Sequence, residues 1–140
     1  MLQTSPTTPL PSMRTQNLKN RLAFGAKRIA MSDDTYALRT RVMNIIRLAK
    51  SRVPNFPRIE VRIVDLAGSA TMGYAYMGQN IIHIDRHEAT RDDSRLLALV
   101  LHELLHAVLS TPHIDSCPLM SGSYRPLSQD QSWRIFLQYF

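Results

Sequence analysis

His102-Glu103-Leu104-Leu105-His106 places two imidazoles four residues apart with a carboxylate beside the first. On a helix, residues at that spacing lie on one face in successive turns, so both rings reach the same point in space. Neutral imidazole nitrogen binds zinc at about 2.0–2.1 Å, and Glu103 stands where it can take a proton from a water activated there. Catalytic zinc keeps three protein ligands and one open position, so the pair needs a third donor. Thr111-Pro112-His113-Ile114-Asp115 supplies two candidates. Pro112 disfavours helix at Thr111 and interrupts the hydrogen-bond ladder, which lets the chain turn and bring His113 back beneath the helical histidines. His113 is the third ligand on this reading, with the Asp115 carboxylate as the alternative. The competing reading is a core helix whose histidines bond only to backbone carbonyls.

The elements around these residues must position them. Asp92-Asp93-Ser94 offers N-cap candidates and first-turn negative charge, Leu96 onward is almost unbroken aliphatic, and Pro112 stops the run. A helix apolar all round belongs in a core, yet His102, Glu103 and His106 interrupt this one on one side. Glutamate is rarely buried unpaired, so that side faces a cleft, a partner or a metal.

Upstream, an amphipathic helix runs from about Asp34 to Arg52. Val42, Ile45, Ile46, Ala49 and Val53 form its apolar face, and Arg39, Arg47 and Lys50 form a solvated one. Pro54 and Pro57 enforce a turn, after which Ile59, Val61 and Ile63 alternate with Glu60, Arg62 and Val64 in the period of a strand. Leu66 to Thr71 reads as a loop and Met72 to Tyr76 as a strand. Gly78-Gln79-Asn80 then turns the chain into a further strand from Asn80 to Ile84. At the C-terminus Ser128 and Gln131 make a capping box for a helix carrying Trp133, Ile135, Phe136, Leu137 and Tyr139, expected to dock on the core, with a surface presented to a partner as the alternative.

His102 to Met120 resembles the metzincin clan of zinc metallopeptidases, and within it the matrixin-like members, whose pattern is HExxHxxGxxH followed by a methionine turn. Met72-Gly73-Tyr74-Ala75-Tyr76 resembles the matrixin edge strand, and Ile81-Ile82-His83-Ile84-Asp85 the strand after it. Cys117-Pro118-Leu119-Met120 is similar to the Met-turn, and Leu127-Ser128-Gln129-Asp130 to the start of the C-terminal helix. The likeness covers about Ile59 to Phe140. It departs at Leu109, where the family has glycine, and in a gap from His106 to His113 one residue longer than usual. His83, Asp85 and Glu88 match parts of the matrixin structural metal sites, but Tyr74 stands where a ligand histidine belongs and no HGD-like loop precedes it. A single metal is therefore expected.

The resemblance implies an α+β, zincin-like fold: a small twisted mixed sheet with an N-terminal helix, a central active-site helix, a Met-turn and a C-terminal helix. It implies a zinc endopeptidase with His102, His106 and His113 on Zn2+, Glu103 as general base and Met120 as a hydrophobic floor. Gly73, Tyr74 and Ala75 would pair with the backbone of a peptide or protein substrate, and Tyr124 would donate to the oxyanion. The alternatives are a SprT-like or other zincin protease with its last ligand elsewhere, or a zinc-stabilised structural protein without catalysis.

Composition bounds these readings. A chain of 140 residues with 44% hydrophobic residues makes one domain, here residues 32–140. The net charge is +6, but residues 1–31 hold Arg14, Lys19, Arg21, Lys27 and Arg28 with no acid, so +5 belongs to that stretch. The remainder is nearly neutral, which gives little electrostatic support to a nucleic-acid function for the domain. Residues 1–31, rich in Ser, Thr, Pro, Gln and Asn, read as a disordered basic tail. A targeting segment, a propeptide, an anchor to an anionic partner and a translation start at Met31 are the functional alternatives for it. No secretory apolar core or membrane-length apolar run is present, and the single cysteine leans toward an intracellular protein. With no second cysteine beside it, Cys117 reads as a packed residue of the turn rather than a ligand.

Overall fold

A computed structural model describes residues 33–67 and 69–140; the basic segment 1–31 and the readings attached to it lie outside these residues. The described chain is mixed α+β. Helix α1 spans Asp33–Arg52, strands β1, β2 and β3 span Glu60–Val64, Gly73–Ala75 and Ile81–Asp85, and helices α2 and α3 span Asp93–Leu109 and Gln129–Leu137. A single 3-10 turn, Glu88–Thr90, separates β3 from α2.

The three strands form one sheet in the order β1-β3-β2. β1 runs parallel to β3, with Val61 opposite Ile82 and Ile63 opposite Ile84, whereas β2 is antiparallel to β3, with Tyr74 opposite His83. β2 is thus an edge strand. The link between β2 and β3 is a tight turn closed by Gln79 N–H donating to the Tyr76 carbonyl, with Gly78 and Asn80 both at positive φ. Glycine has no Cβ to clash there, and asparagine is among the few other residues that tolerate the left-handed region.

Helix α2 is the centre of the core. Eleven of its residues are buried, from Leu96 to Ala107, because the sheet, α1 and α3 all pack on it. Val42, Ile46 and Ala49 of α1 and Phe136 of α3 meet it at 2% exposure or less. Phe56, between α1 and β1, contacts Phe136 and Phe140 edge-on. The α1 arginines are less free than the helix pattern suggests. Arg39 Nε donates to the Val61 carbonyl at 3.3 Å, and Arg41 bridges to Asp93 at 2.7 Å and to the Ala89 carbonyl at 2.6 Å. Arg39 therefore ties α1 to β1 instead of facing only water. Its long stem reaches over the apolar face to a carbonyl that periodicity does not reveal.

Candidate metal centre

α2 begins where its sequence requires. Asp92 is the N-cap, its carboxylate accepting from Arg95 N–H at 2.9 Å. Its end differs from the expectation. The helix stops at Leu109, and Ser110 adopts the left-handed conformation at φ 55°, ψ 31°, two residues before Pro112. Pro112 keeps Thr111 out of the helical region, so the chain must reverse before it, and a serine takes the role that glycine usually fills. The reversal carries Thr111 N–H to the Leu105 carbonyl at 3.1 Å and presents the Thr111 carbonyl to His106 Nδ1 at 2.5 Å. One turn therefore ends the helix and orients a histidine.

The segment after the turn returns under α2. Ile114 N–H donates to the Met120 carbonyl at 2.8 Å, and Cys117 N–H to the Ile114 carbonyl at 3.0 Å, closing a compact loop. The preceding carbonyl, Leu119, accepts from His102 Nδ1 at 2.7 Å. Neighbouring carbonyls of one turn thus fix His102 and the stretch that carries His113.

The three imidazoles converge. His106 Nε2 lies 3.1 Å from His102 Nε2, which lies 3.2 Å from His113 Nε2. Carbonyls only accept, so His102 and His106 must each spend an Nδ1 proton on one. Burial is the main cause that holds both rings neutral: the His102 pKa is lowered to about 4 and that of His106 is lowered as well. Neutral rings protonated at Nδ1 carry bare lone pairs at Nε2, and at 3.1 Å two such lone pairs repel. A proton on His113 relieves one of the two contacts and leaves the other. A cation between the nitrogens relieves both, and tetrahedral bonds of about 2.0–2.1 Å set ligand nitrogens about 3.3 Å apart. The carbonyls holding Nδ1 are the outer partners that ligand histidines ordinarily have. By donor chemistry, and with all three donor atoms within 4.8 Å of one another, the residues present are of the kind that would hold a zinc ion.

Among the described residues, this trio is the group of donor side chains close enough to share an ion. Asp115 is exposed and outside it; its backbone carbonyl accepts from Arg125 at 3.1 Å. Cys117 is half-buried and accepts from Tyr139 Oη at 3.2 Å, the packed position expected of it. Asp85 and Glu88 use their carboxylates internally. Asp85 accepts from the backbone N–H groups of Leu66, His87 and Glu88, and Glu88 pairs with Arg95 at 2.9 Å. Buried His83 stacks on Tyr74 with ring centroids 4.2 Å apart, while His87 is exposed.

Glu103 is 2% exposed, and its Oε1 has no hydrogen-bond partner among the described residues. Burial alone pushes its pKa up to about 8. A dication at the neighbouring histidine nitrogens pulls the other way, toward carboxylate. Met120 is fully buried.

A cavity of about 320 Å³ opens beside these groups. His102, Glu103 and His113 form one wall, Met72 and Gly73 at the sheet edge another, and the segment from Pro118 to Leu127 a third. Tyr124 lines it with its ring 4.2 Å beneath the Arg95 guanidinium. A Cβ on Gly73 would sit 2.7 Å from the His83 carbonyl, so only glycine lets β2 pass this close to β3; Glu103 Oε2, at 3.5 Å from the same point, would be in ordinary contact.

The edge strand needs a refinement. Asp85 N–H donates to the Met72 carbonyl, and antiparallel pairs alternate between bonded and unbonded. Tyr74 is therefore turned inward to His83, while Gly73 and Ala75 direct their N–H and C=O groups to the open edge. Of the three residues singled out from the sequence, two leave their main-chain groups on the open edge.

Compared with known proteins, the chain matches no family model, no curated protein and no solved structure. Function has to be argued from the site itself.

Among its residues, Arg95 and the Leu119 and Thr111 carbonyls escaped the sequence reading. Arg95 had a signal: it stands seven residues before His102, two turns back on the same helix face. The carbonyls had none, because any residue type supplies one.

Proposed function

We propose that this chain is a zinc-dependent endopeptidase with a metzincin-like, matrixin-type arrangement. The observation that carries the proposal is the meeting of three Nε2 atoms, two of them with their protons already spent at Nδ1, beside an unpartnered buried carboxylate in an open cavity. His102, His106 and His113 would hold the metal.

Bound there, zinc supplies Lewis acidity that lowers the pKa of water from about 15.7 to about 7, on the order of 12 kcal/mol toward hydroxide. Glu103 accepts the water proton at a carboxylate oxygen and returns it to the departing amine nitrogen, a general acid–base contribution of roughly 10²–10⁴ in rate. Its burial keeps bulk water from competing for that proton. Gly73 and Ala75 align an extended peptide by adding it to the sheet edge, which places the backbone without regard to sequence. Tyr124 lines the same cavity with its ring against Arg95, and its hydroxyl would have to reach from there to donate to the carbonyl oxygen of the substrate.

Three features favour catalysis over a purely structural zinc. Among the described residues the donor set stops at three side chains, as catalytic sites do, whereas structural zinc sites close with four. His113 is exposed, so the fourth direction opens to the cavity. A buried carboxylate oxygen, Glu103 Oε1, with no hydrogen-bond partner among the described residues costs stability. The position of His113 beside the helical pair also removes the need for a distant last ligand of the SprT-like kind.

Cleavage of a diverse peptide library by the wild type and by Glu103→Gln, at matched zinc content, tests the proposal. The expected result is a loss of at least about 100-fold in the variant with zinc retained. Equal activity in the two, or a zinc-loaded wild type that cleaves nothing, contradicts it.

A further inference from the structure

Arg95 is the part of the cavity that the hydrolytic chemistry does not use. It lies two helical turns before His102, about 10 Å along the α2 axis. Its guanidinium is held from three sides. Nε donates to Glu88 Oε1 at 2.9 Å, Nη2 reaches Glu88 Oε2 at 3.5 Å and Met72 Sδ at 3.4 Å, and the Tyr124 ring packs against the guanidinium at 4.2 Å. Among the described residues nothing accepts from Nη1, and Arg95 is part of the cavity lining.

Its ion-pair partner is not exclusive to it. Glu88 is shared, with Arg91 Nε also 3.7 Å from its Oε2, so one carboxylate serves two guanidinium groups. Arg125, which is exposed and also lines the cavity, spends one nitrogen on the neutral Asp115 carbonyl and has no acidic partner among the described residues. The acidic side chain in the cavity wall is Glu103, at the end near the histidines. The far end is therefore positive, with apolar walls from Ala98, Leu99 and Leu127 between.

We propose that this cavity selects substrates carrying a carboxylate next to the cleaved bond, with Arg95 as the reading residue and Arg125 assisting from the rim. A glutamate-like side chain fits: its methylenes cross the apolar walls and its carboxylate takes the vacant Nη1 in a charge-assisted bond. A planar guanidinium fixed by Glu88 and Tyr124 is already oriented, so little side-chain entropy is lost on binding. The inference rests on the peptidase reading for its biological meaning, yet its physical content is binding.

It is tested by calorimetric titration of zinc-loaded Glu103→Gln protein, full chain, with capped peptides identical except for Glu, Gln or Leu at one central position. A fourth peptide carries Leu there and a free C-terminal carboxylate. The expected result is Glu bound about tenfold tighter than Gln or Leu, a preference abolished in Arg95→Met, weakened in Arg125→Gln and reduced by added salt. Arg125 is exposed and makes one contact, so its variant retains the fold even if Arg95→Met does not. Preference for the free C-terminus over the internal Glu moves the carboxylate to the chain end and overturns the side-chain assignment. Equal binding of Glu and Gln, a preference unchanged in both variants, or no binding of any peptide overturns the proposal. Selective binding without cleavage by the wild type would instead sink the peptidase reading and leave this one standing.

Discussion

His102 Nδ1 lies 2.7 Å from the carbonyl oxygen of Leu119, and the next carbonyl, Met120, accepts from Ile114 N–H at 2.8 Å. The turn that orients a helical histidine is thereby the turn that anchors the strand of chain beside His113. Metal binding and loop order should be coupled through it. Removing zinc with a chelator is expected to lower the melting temperature by about 10 °C or more, the scale set by a ligand present at 100–1,000 times its Kd. Amide exchange at Ile114 should rise in the same experiment. Unchanged exchange there, with zinc demonstrably gone, would separate the loop from the metal.

His113 and Asp115 stood as rival donors in the sequence, and the geometry separates them. Elemental analysis of His113→Ala is expected to find zinc reduced to a small fraction of one equivalent at micromolar protein, while Asp115→Ala keeps the full complement. The opposite pattern would mean that the chain beyond Pro112 folds differently.

Gly73 makes a separate demand. A methyl group at this position meets the His83 backbone at 2.7 Å, where no side chain can yield, and reaches toward Glu103. Gly73→Ala should cost about 1–3 kcal/mol in denaturant unfolding, the usual range for forced overpacking, and should depress peptide cleavage more than tenfold by moving β2. Wild-type stability together with wild-type activity would show that β2 does not run so close to the His83 backbone.

His83 gives the fold an acid limb of its own. Burial, ahead of the Arg62 charge, lowers its pKa from 6.5 to about 4, so below pH 6.5 the unfolded chain takes up a proton that the native state refuses. The stability from its neutral form is complete above 6.5, falls as the pH drops toward 4, and levels off below that. Replacing His83 with Phe, which preserves an aromatic ring against Tyr74, should flatten the slope of unfolding free energy between pH 6.5 and 4, by on the order of 2 kcal/mol across the window. A slope identical to the wild type would assign the acid limb to other groups.

Much of the site was legible because its residues are defined by period and chemistry. The i, i+4 histidines, the glutamate between them and a helix apolar on every other face leave few arrangements, and α2 has that form. The α1 apolar face, the β2–β3 turn and the Ser128 capping box were equally readable, since each is a local rule acting over a few residues. What the pattern could not carry was nonlocal or belonged to the backbone. Ser110 takes the left-handed position that the reading assigned to the effect of Pro112, because serine is a permitted but uncommon occupant there. The parallel pairing of β1 with β3 depends on where the chain crosses, and the outward groups of Gly73 and Ala75 depend on one bond from Asp85 to Met72.

The most direct test of the central claim is X-ray absorption at the zinc edge on full-length protein purified without chelator. The account predicts about one zinc per chain with three imidazole nitrogens at about 2.0–2.1 Å, one further light atom and no sulfur. A sulfur shell near 2.3 Å, which only Cys117 or a methionine could provide, or protein that holds no zinc at all, would contradict it.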